Sequence, residues 1–204
     1  MVAASGWILC GGGCRQERAV PIERTETIPL PGPAPLSPAD AVISDERTPT
    51  EEQKQKMLAA RDALFQQLSG KLMGALGSGG PAEAISVCRE AAPAIATQIS
   101  TQHDLAIGRT GVRLRNPHNT GPHWTSELIQ TKTDTPQFVT LTSGHDAALL
   151  PIKLQSQCLM CHGNKAEIPS SVHEQLAGVY PDDQATGFAE GELRGWFWIE
   201  LPPR

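Results

Sequence analysis

Residues 158 to 163 read CLMCHG, and no other stretch restricts the fold so tightly. Two cysteines three positions apart with a histidine directly after form C-x-x-C-H, the spacing at which two thiols can bond the two vinyl groups of one porphyrin and the histidine can reach its iron. On this reading Cys158 and Cys161 are covalent attachment points for haem c and His162 is the proximal ligand. The fold must then leave room for a macrocycle beside this segment, and Gly163 lets the chain turn tightly next to it. A structural zinc site would need four ligands, usually two such pairs. The chain has no second C-x-x-C, and only Cys88 and dispersed histidines could complete the set. A thioredoxin-like redox pair belongs at a helix start in a βαβ pattern, which the sequence lacks.

Haem c is attached on the exported side of a membrane, which makes the N-terminus relevant. The opening MVAASGWILCGGGC is a short apolar stretch ending in small residues and a cysteine, as in an export signal with lipoprotein processing, although no basic region precedes it. Cys14 is the expected lipidated residue of this 1–14 segment, because small residues lead into it and a polar stretch follows; Gly11 stands where leucine is usual. Residues 15–49 hold seven of the 17 prolines with scattered charge and no apolar period, the composition of an extended linker. The folded domain is expected over 50–204. No apolar run is long enough to span a bilayer. Location is therefore expected to be periplasmic, with a lipid anchor on the membrane. The five cysteines are an odd count and do not read as a closed disulfide framework. A net charge of −5 argues against a nucleic-acid partner, which would call for a basic face.

From Thr50 the pattern becomes helical. Thr50 is a cap, acids fill the first turn, and Met57, Leu58, Leu64, Phe65, Leu68 and Leu72 recur at helical spacing until GSGG ends the helix. Pro81 opens a second helix, which runs to about residue 100 with Ile85, Cys88, Ala92, Ile95 and Ile99 on one face. Strand character follows in DLAIGRTG, QFVTLTS, AALLPIKL and GWFWIEL, with short helices at HWTSELIQ and SSVHEQLAGVY. Helices first and strands later predict an α+β domain with an antiparallel sheet. Trp196, Phe197 and Trp198 read as core packing rather than an electron path.

A haem iron with one histidine takes a second ligand or keeps an open face. Spacing leaves Cys88, His103, His118, His123, His145, His173, Met57 and Met73 as candidates. Pattern alone also leaves Cys88 open between an inert core cysteine and a ligand. Residues 103–132 hold four basic groups, Arg109, Arg113, Arg115 and Lys132, against Asp104 and Glu127. One of the arginines, Arg109 first among them and Asn116 alongside, is the candidate for haem propionates; ordinary surface charge is the alternative.

The blocks AISVCREAAPAIA, IGRTGVRLRNPHN, PIKLQSQCLMCHG and YPDDQATGFAEGELRGWFWIEL, in that order, resemble the Tll0287-like haem c domain family, also termed DUF3365, over roughly Thr50 to Leu201. The chain departs from that pattern at Gly111, where serine is expected, and at HNTGPHW. The resemblance implies a PAS-like fold, an antiparallel sheet flanked by helices behind a long N-terminal helical region, with one covalent haem. It also implies His162 and Cys88 as the two axial ligands. A thiolate ligand favours ferric iron and lowers the potential. The functions so implied are a redox or diatomic-gas sensor module, with CO or NO reaching the reduced haem if Cys88 leaves, or a low-potential electron-transfer protein. A haem enzyme such as a small peroxidase ranks last, because a stable sixth ligand blocks the iron. No kinase or methyl-accepting segment is read before Arg204, so a redox partner or a separate signalling protein is expected to receive the signal.

Overall fold

Thr50 sets the start of the first long helix. In the computed structural model, which describes residues 31–203, the Gln53 N–H donates to the Thr50 hydroxyl at 3.4 Å and the Thr50 N–H donates to Gln53 Oε1 at 2.7 Å, a reciprocal capping box. Glu51 and Glu52 in the first turn oppose the positive end of the helix dipole. Helix α1 spans Glu51–Ser86 with one break. GSGG ends the first helical stretch as expected, at its last glycine. Helical geometry persists through Gly79 and fails only at Gly80, whose φ of 70° and ψ of −162° suit glycine. Pro81 restarts the helix at a position where a missing N–H does no harm.

The second expected helix is not regular. Val87–Ala91, which carries Cys88, is a π-helical turn, and a regular helix, α2, resumes over Ala92–His103. Pro93 explains the widening: it donates no hydrogen bond and its ring crowds the carbonyl four residues back, so the backbone opens ahead of it. The Ala92 N–H accordingly bonds the Val87 carbonyl, five residues away. Asp104 closes α2 in the left-handed region.

The remaining elements are β2 (Ala106–Thr110), α3 (Ser126–Gln130), β3 (Gln137–Leu141), β4 (Asp146–Lys153), α4 (Leu159–His162), α5 (Ser170–Val179) and β5 (Leu193–Leu201). A two-residue strand, β1 (Ile43–Ser44), precedes them all. Among the described residues the five strands form one antiparallel sheet in the order β1-β3-β4-β5-β2. The chain thus adopts the expected α+β class, a helix-flanked antiparallel sheet behind a long N-terminal helix. Period-two alternation gives the sheet two buried faces. Ile107, Leu150, Phe197 and Ile199 meet Met57, Leu64 and Ile99 of α1 and α2. Trp196, Trp198, Leu149 and Trp124 fill the opposite face, so the C-terminal aromatics are core, as expected.

Residues 31–49, assigned to the linker by composition, lie against this second face. Glu200 faces it at 0% exposure, a carboxylate near the end of an otherwise apolar run of β5. It accepts the Leu36 N–H at 2.6 Å, the Ser37 N–H and hydroxyl at 2.8 Å each, and the Trp124 indole N–H at 2.7 Å. Four donors offset the cost of burying the charge. Arg47 pairs with buried Asp146 at 2.9 Å, and Ile43–Ser44 extends the sheet edge. The packed unit therefore begins ahead of Thr50. Residues 1–14, including Cys14, and 15–30 lie outside the described residues.

Candidate functional site

At one end of the helical face of the sheet, where β4 finishes and β5 begins, a cleft of about 250 Å³ opens. Its floor is Ile152, Gly195 and Phe197; Leu68, Leu72 and Leu76 of α1 form one wall, and the C-x-x-C-H segment forms the other. Cys158, Cys161, His162 and Cys88 all line it. The motif folds as a short 3-10 turn, Ser156–Cys158, leading into α4. Residues three and four apart on a helical turn share a side, so Cys158, Cys161 and His162 face the cleft together. The Gly163 N–H donates to the Leu159 carbonyl at 2.8 Å. A Cβ on Gly163 would stand 2.6 Å from that oxygen, so close approach rather than unusual dihedrals requires the glycine here.

The segment is clamped from outside. The Gly187 N–H donates to the Gly163 carbonyl at 2.7 Å and the Phe188 N–H to the His162 carbonyl at 3.0 Å. His162 Nδ1–H donates to the Ala185 carbonyl at 2.7 Å; a carbonyl only accepts, so the proton is on Nδ1 and Nε2 keeps its lone pair. This is how a metal-ligating imidazole is oriented by its second nitrogen. Burial first, then the charges of Arg115 and Arg194, push His162 well below the usual histidine range, so the ring is neutral. Phe188 meets the ring edge-on at 6.4 Å, and the Arg113 guanidinium lies 3.5 Å over Phe188. Arg115 ties the frame together. Its Nε donates to Asp183 at 3.0 Å and its Nη2 to the Cys161 carbonyl at 2.6 Å, with a longer contact to Ala185.

Across the cleft, Cys88 sits on the π-helical turn, partly exposed rather than in the core. Burial is the main cause that raises the Cys161 thiol; Arg115 opposes it, and Cys88 and Cys158 add to it. Tyr180, at 3% exposure, also lines the cleft. Burial and then Cys88 push its hydroxyl up to about 12, which keeps it a donor at neutral pH.

Among the other ligand candidates only Met73 lines this cleft. Met57 is core; His118 lines a separate cavity of about 90 Å³ under Pro33 and Pro35; His145 bonds Ser143; and His173 bonds the Lys165 carbonyl. Arg109, Arg115 and Asn116 line the cleft and Arg113 does not; Arg113 and Arg115 are engaged with acidic partners. Sequence reasoning missed Tyr180, the only tyrosine in the chain, and Arg194, whose place in an alternating strand predicts the opposite face.

The residues fit a porphyrin. Apolar walls suit a flat macrocycle, two thiols and a lone-pair imidazole sit on one side, and a further thiol lies across from them. Phe65, Met73 and Met160 stand 43–50% exposed around the cleft, apolar surface that such a ligand would cover. Among the described residues no three of His, Cys, Asp and Glu converge closely enough to hold a metal ion unaided, as structural zinc requires. No helix of the described residues is long and apolar enough to cross a membrane.

A family model described as Tll0287-like: Tll0287 matches residues 40–202. Among solved structures, the crystal structure of the cyanobacterial heme-protein Tll0287 is similar in fold, with 24% sequence identity and a TM-score of 0.57 over 76% of this chain and 97% of that one. No curated protein matches.

Proposed function

This chain belongs to the Tll0287-like family, and on that premise we propose that it is an exported haem protein with one c-type haem, attached at Cys158 and Cys161 and ligated by His162 and Cys88. The observation that carries this reading is the convergence of these four side chains on one apolar cleft, with His162 Nε2 left free by the Nδ1 bond to Ala185. A haem held there supplies one-electron redox chemistry and, where an axial position opens, a place for CO or NO. Arg109 is the residue assigned to a propionate.

The protein serves as a redox or diatomic-gas sensor, because its two ligands are held unequally. His162 is fixed by hydrogen bonding and by the clamp of residues 185–188. Cys88 rides on a widened turn between the Gly80 break and Pro93, where the backbone can shift without unpacking the core. A thiol binds iron only when deprotonated, so reduction with protonation favours its release. Low-potential electron transfer is the second reading, favoured by the exposed side chains of Met73 and Met160 around the cleft, which bring its contents near the surface. Export with a lipid anchor at Cys14 is part of the proposal, as is a redox partner or a separate signalling protein; Cys14→Ser is expected to move the protein out of the membrane fraction.

The test is the absorption spectrum of haem-matured protein, ferric and ferrous, beside Cys88→Ala and under CO. A thiolate-type ferric spectrum lost in Cys88→Ala, with a CO adduct on reduction, supports the sensor. Retention of both ligands in both states, without a CO adduct, supports electron transfer. A spectrum indifferent to Cys88→Ala removes Cys88 as ligand, and a chain that matures without covalent haem overturns the reading.

A further inference from the structure

Three arginines, Arg109, Arg115 and Arg194, line the cleft of a chain whose net charge is −5, with Arg113 packed behind them, and of these only Arg113 and Arg115 form ion pairs among the described residues. Arg113 pairs with Glu192 at 2.6 Å and Arg115 with Asp183 at 3.0 Å. Among the described residues Arg109 and Arg194 form no ion pair, and no Asp or Glu lines the cleft. Two guanidiniums share this space without an ion-pair partner; Asp183, already paired with Arg115, offsets only part of the desolvation and mutual repulsion that oppose Arg194.

The fold places both on purpose-like geometry rather than at a frayed edge. Arg109 is in β2 opposite Phe197, on the helical face. On β5, Trp196, Trp198 and Glu200 face the other way, and strict alternation would send Arg194 with them. The register breaks at that point: Ile152 pairs with Gly195 but Lys153 pairs with Leu193, so Arg194 is the extra residue of a β-bulge. A bulge re-aims a side chain, and Arg194 lines the cleft instead. Its Nη1 donates to the Arg113 carbonyl at 3.0 Å, which anchors one arm of the fork and leaves the other donors available. Gly111 makes room, since a Cβ there would stand 3.4 Å from that Nη1 and 3.0 Å from the Arg194 carbonyl. Burial, and then Arg115 and Arg109, bring the Arg194 guanidinium down to about 10, still charged at neutral pH.

We propose that Arg109 and Arg194 together form a site for paired carboxylates and hold the two propionates of the porphyrin, so that the carboxylate edge lies against β2 and the β5 bulge. This rests on the haem reading above and extends it to a residue on another strand. Two unmatched cations meet two carboxylates, and charge-assisted hydrogen bonds replace repulsion. A free dicarboxylate has the same chemistry, and the experiment separates the two.

The full chain carrying Cys158→Ala and Cys161→Ala, which cannot form thioethers, is titrated, by quenching of tryptophan fluorescence, with ferric haem and with its dimethyl ester. Haem is expected to bind at least about tenfold more tightly than the ester, given roughly 1.5–3 kcal/mol for a hydrogen bond to a charged group. Arg109→Gln and Arg194→Gln should each weaken haem about tenfold and leave the ester unchanged, with Arg194→Lys intermediate. In the unloaded chain Arg194→Gln should raise the melting temperature, because it relieves repulsion; a purely structural arginine would lower it. Equal binding of haem and ester, or equal weakening of both by the Gln variants, overturns the proposal while leaving haem binding intact. If millimolar succinate also stabilises the unloaded chain in that case, the pair belongs to a free dicarboxylate. If neither porphyrin binds and the unsubstituted chain also matures without covalent haem, the haem reading itself fails and this assignment with it; if the unsubstituted chain does take up covalent haem, unchanged haem retention in Arg109→Gln and Arg194→Gln overturns the assignment alone.

Discussion

Replacing Arg115 with methionine is expected to loosen the attachment segment without altering a single candidate ligand. The Arg115 and Asp183 side chains are only 9% and 10% exposed, so their pair is not a screened surface bridge. Methionine keeps most of the alkyl packing but strands the Asp183 charge in a buried site, a change that costs about 3–5 kcal/mol. It also removes the 2.6 Å bond to the Cys161 carbonyl. Asp183 keeps the Ala185 N–H at 2.7 Å, which places the cost toward the lower end. About 3 kcal/mol corresponds to a drop of roughly 6–12 °C in Tm for a domain of this size. Urea unfolding of the unloaded full chain, followed by tryptophan fluorescence, measures it. The cycle with Asp183→Asn is decisive: the double variant should cost less than the sum of the singles by at least ~1.5 kcal/mol. Amide exchange at Phe188, whose N–H holds the His162 carbonyl, should quicken in Arg115→Met. A cost under about 1 kcal/mol, or strict additivity, would show that the pair does not brace the segment.

Three further outcomes are expected. Burial keeps His162 neutral in the folded unloaded chain, so unfolding takes up a proton below the ordinary histidine value; stability is complete above about pH 6.5 and falls as pH drops, by up to ~1.4 kcal/mol per unit. Urea titrations between pH 7.5 and 5.5 should show a flatter slope in His162→Gln, and identical slopes would mean that the ring is not held neutral. Glu200→Gln should release the 31–44 arm at a cost of at least ~2 kcal/mol, because an amide cannot accept at both ends of the four-donor cage; limited proteolysis near Leu36 reads this out, and wild-type resistance would contradict it. Gly195→Ala places a Cβ 2.2 Å from the Thr110 carbonyl oxygen and should cost about 2 kcal/mol in a thermal melt, whereas Gly178→Ala, with open space on a helix, should gain up to ~1 kcal/mol.

What could be read without coordinates was what depends on local spacing. The C-x-x-C-H segment works through residues three and four apart, and the four main strands are short runs rich in strand-forming residues bounded by turn residues, which local composition reveals even where both faces are buried. Cys88 was different. A cysteine facing the core and one facing a cleft leave the same apolar spacing on a helix, so only the family resemblance distinguished a ligand from packing, and the π-helical turn set by Pro93 lies outside any 3.6-residue pattern. The N-terminal arm was hidden for a related reason. Its strand is two residues long, too short for periodicity, and its anchor is a distant glutamate that in IEL looks like ordinary outward alternation.

Arg194 shows most clearly why charge around a site is hard to read from a linear pattern. Its sequence neighbours predict the Trp196 and Trp198 face, and one extra residue in β5 reverses that. The same insertion brings it near Arg109, 85 positions earlier, and so makes two individually ordinary surface cations into a pair that repel each other. No local rule weighs residues so far apart. Cys88, His162 and the two guanidiniums come from α1's continuation, α4, β2 and the β5 bulge, and share only the cleft. The site is therefore a property of strand register as much as of motif: a one-residue deletion at 194 would leave every proposed iron ligand in place and remove the second cation.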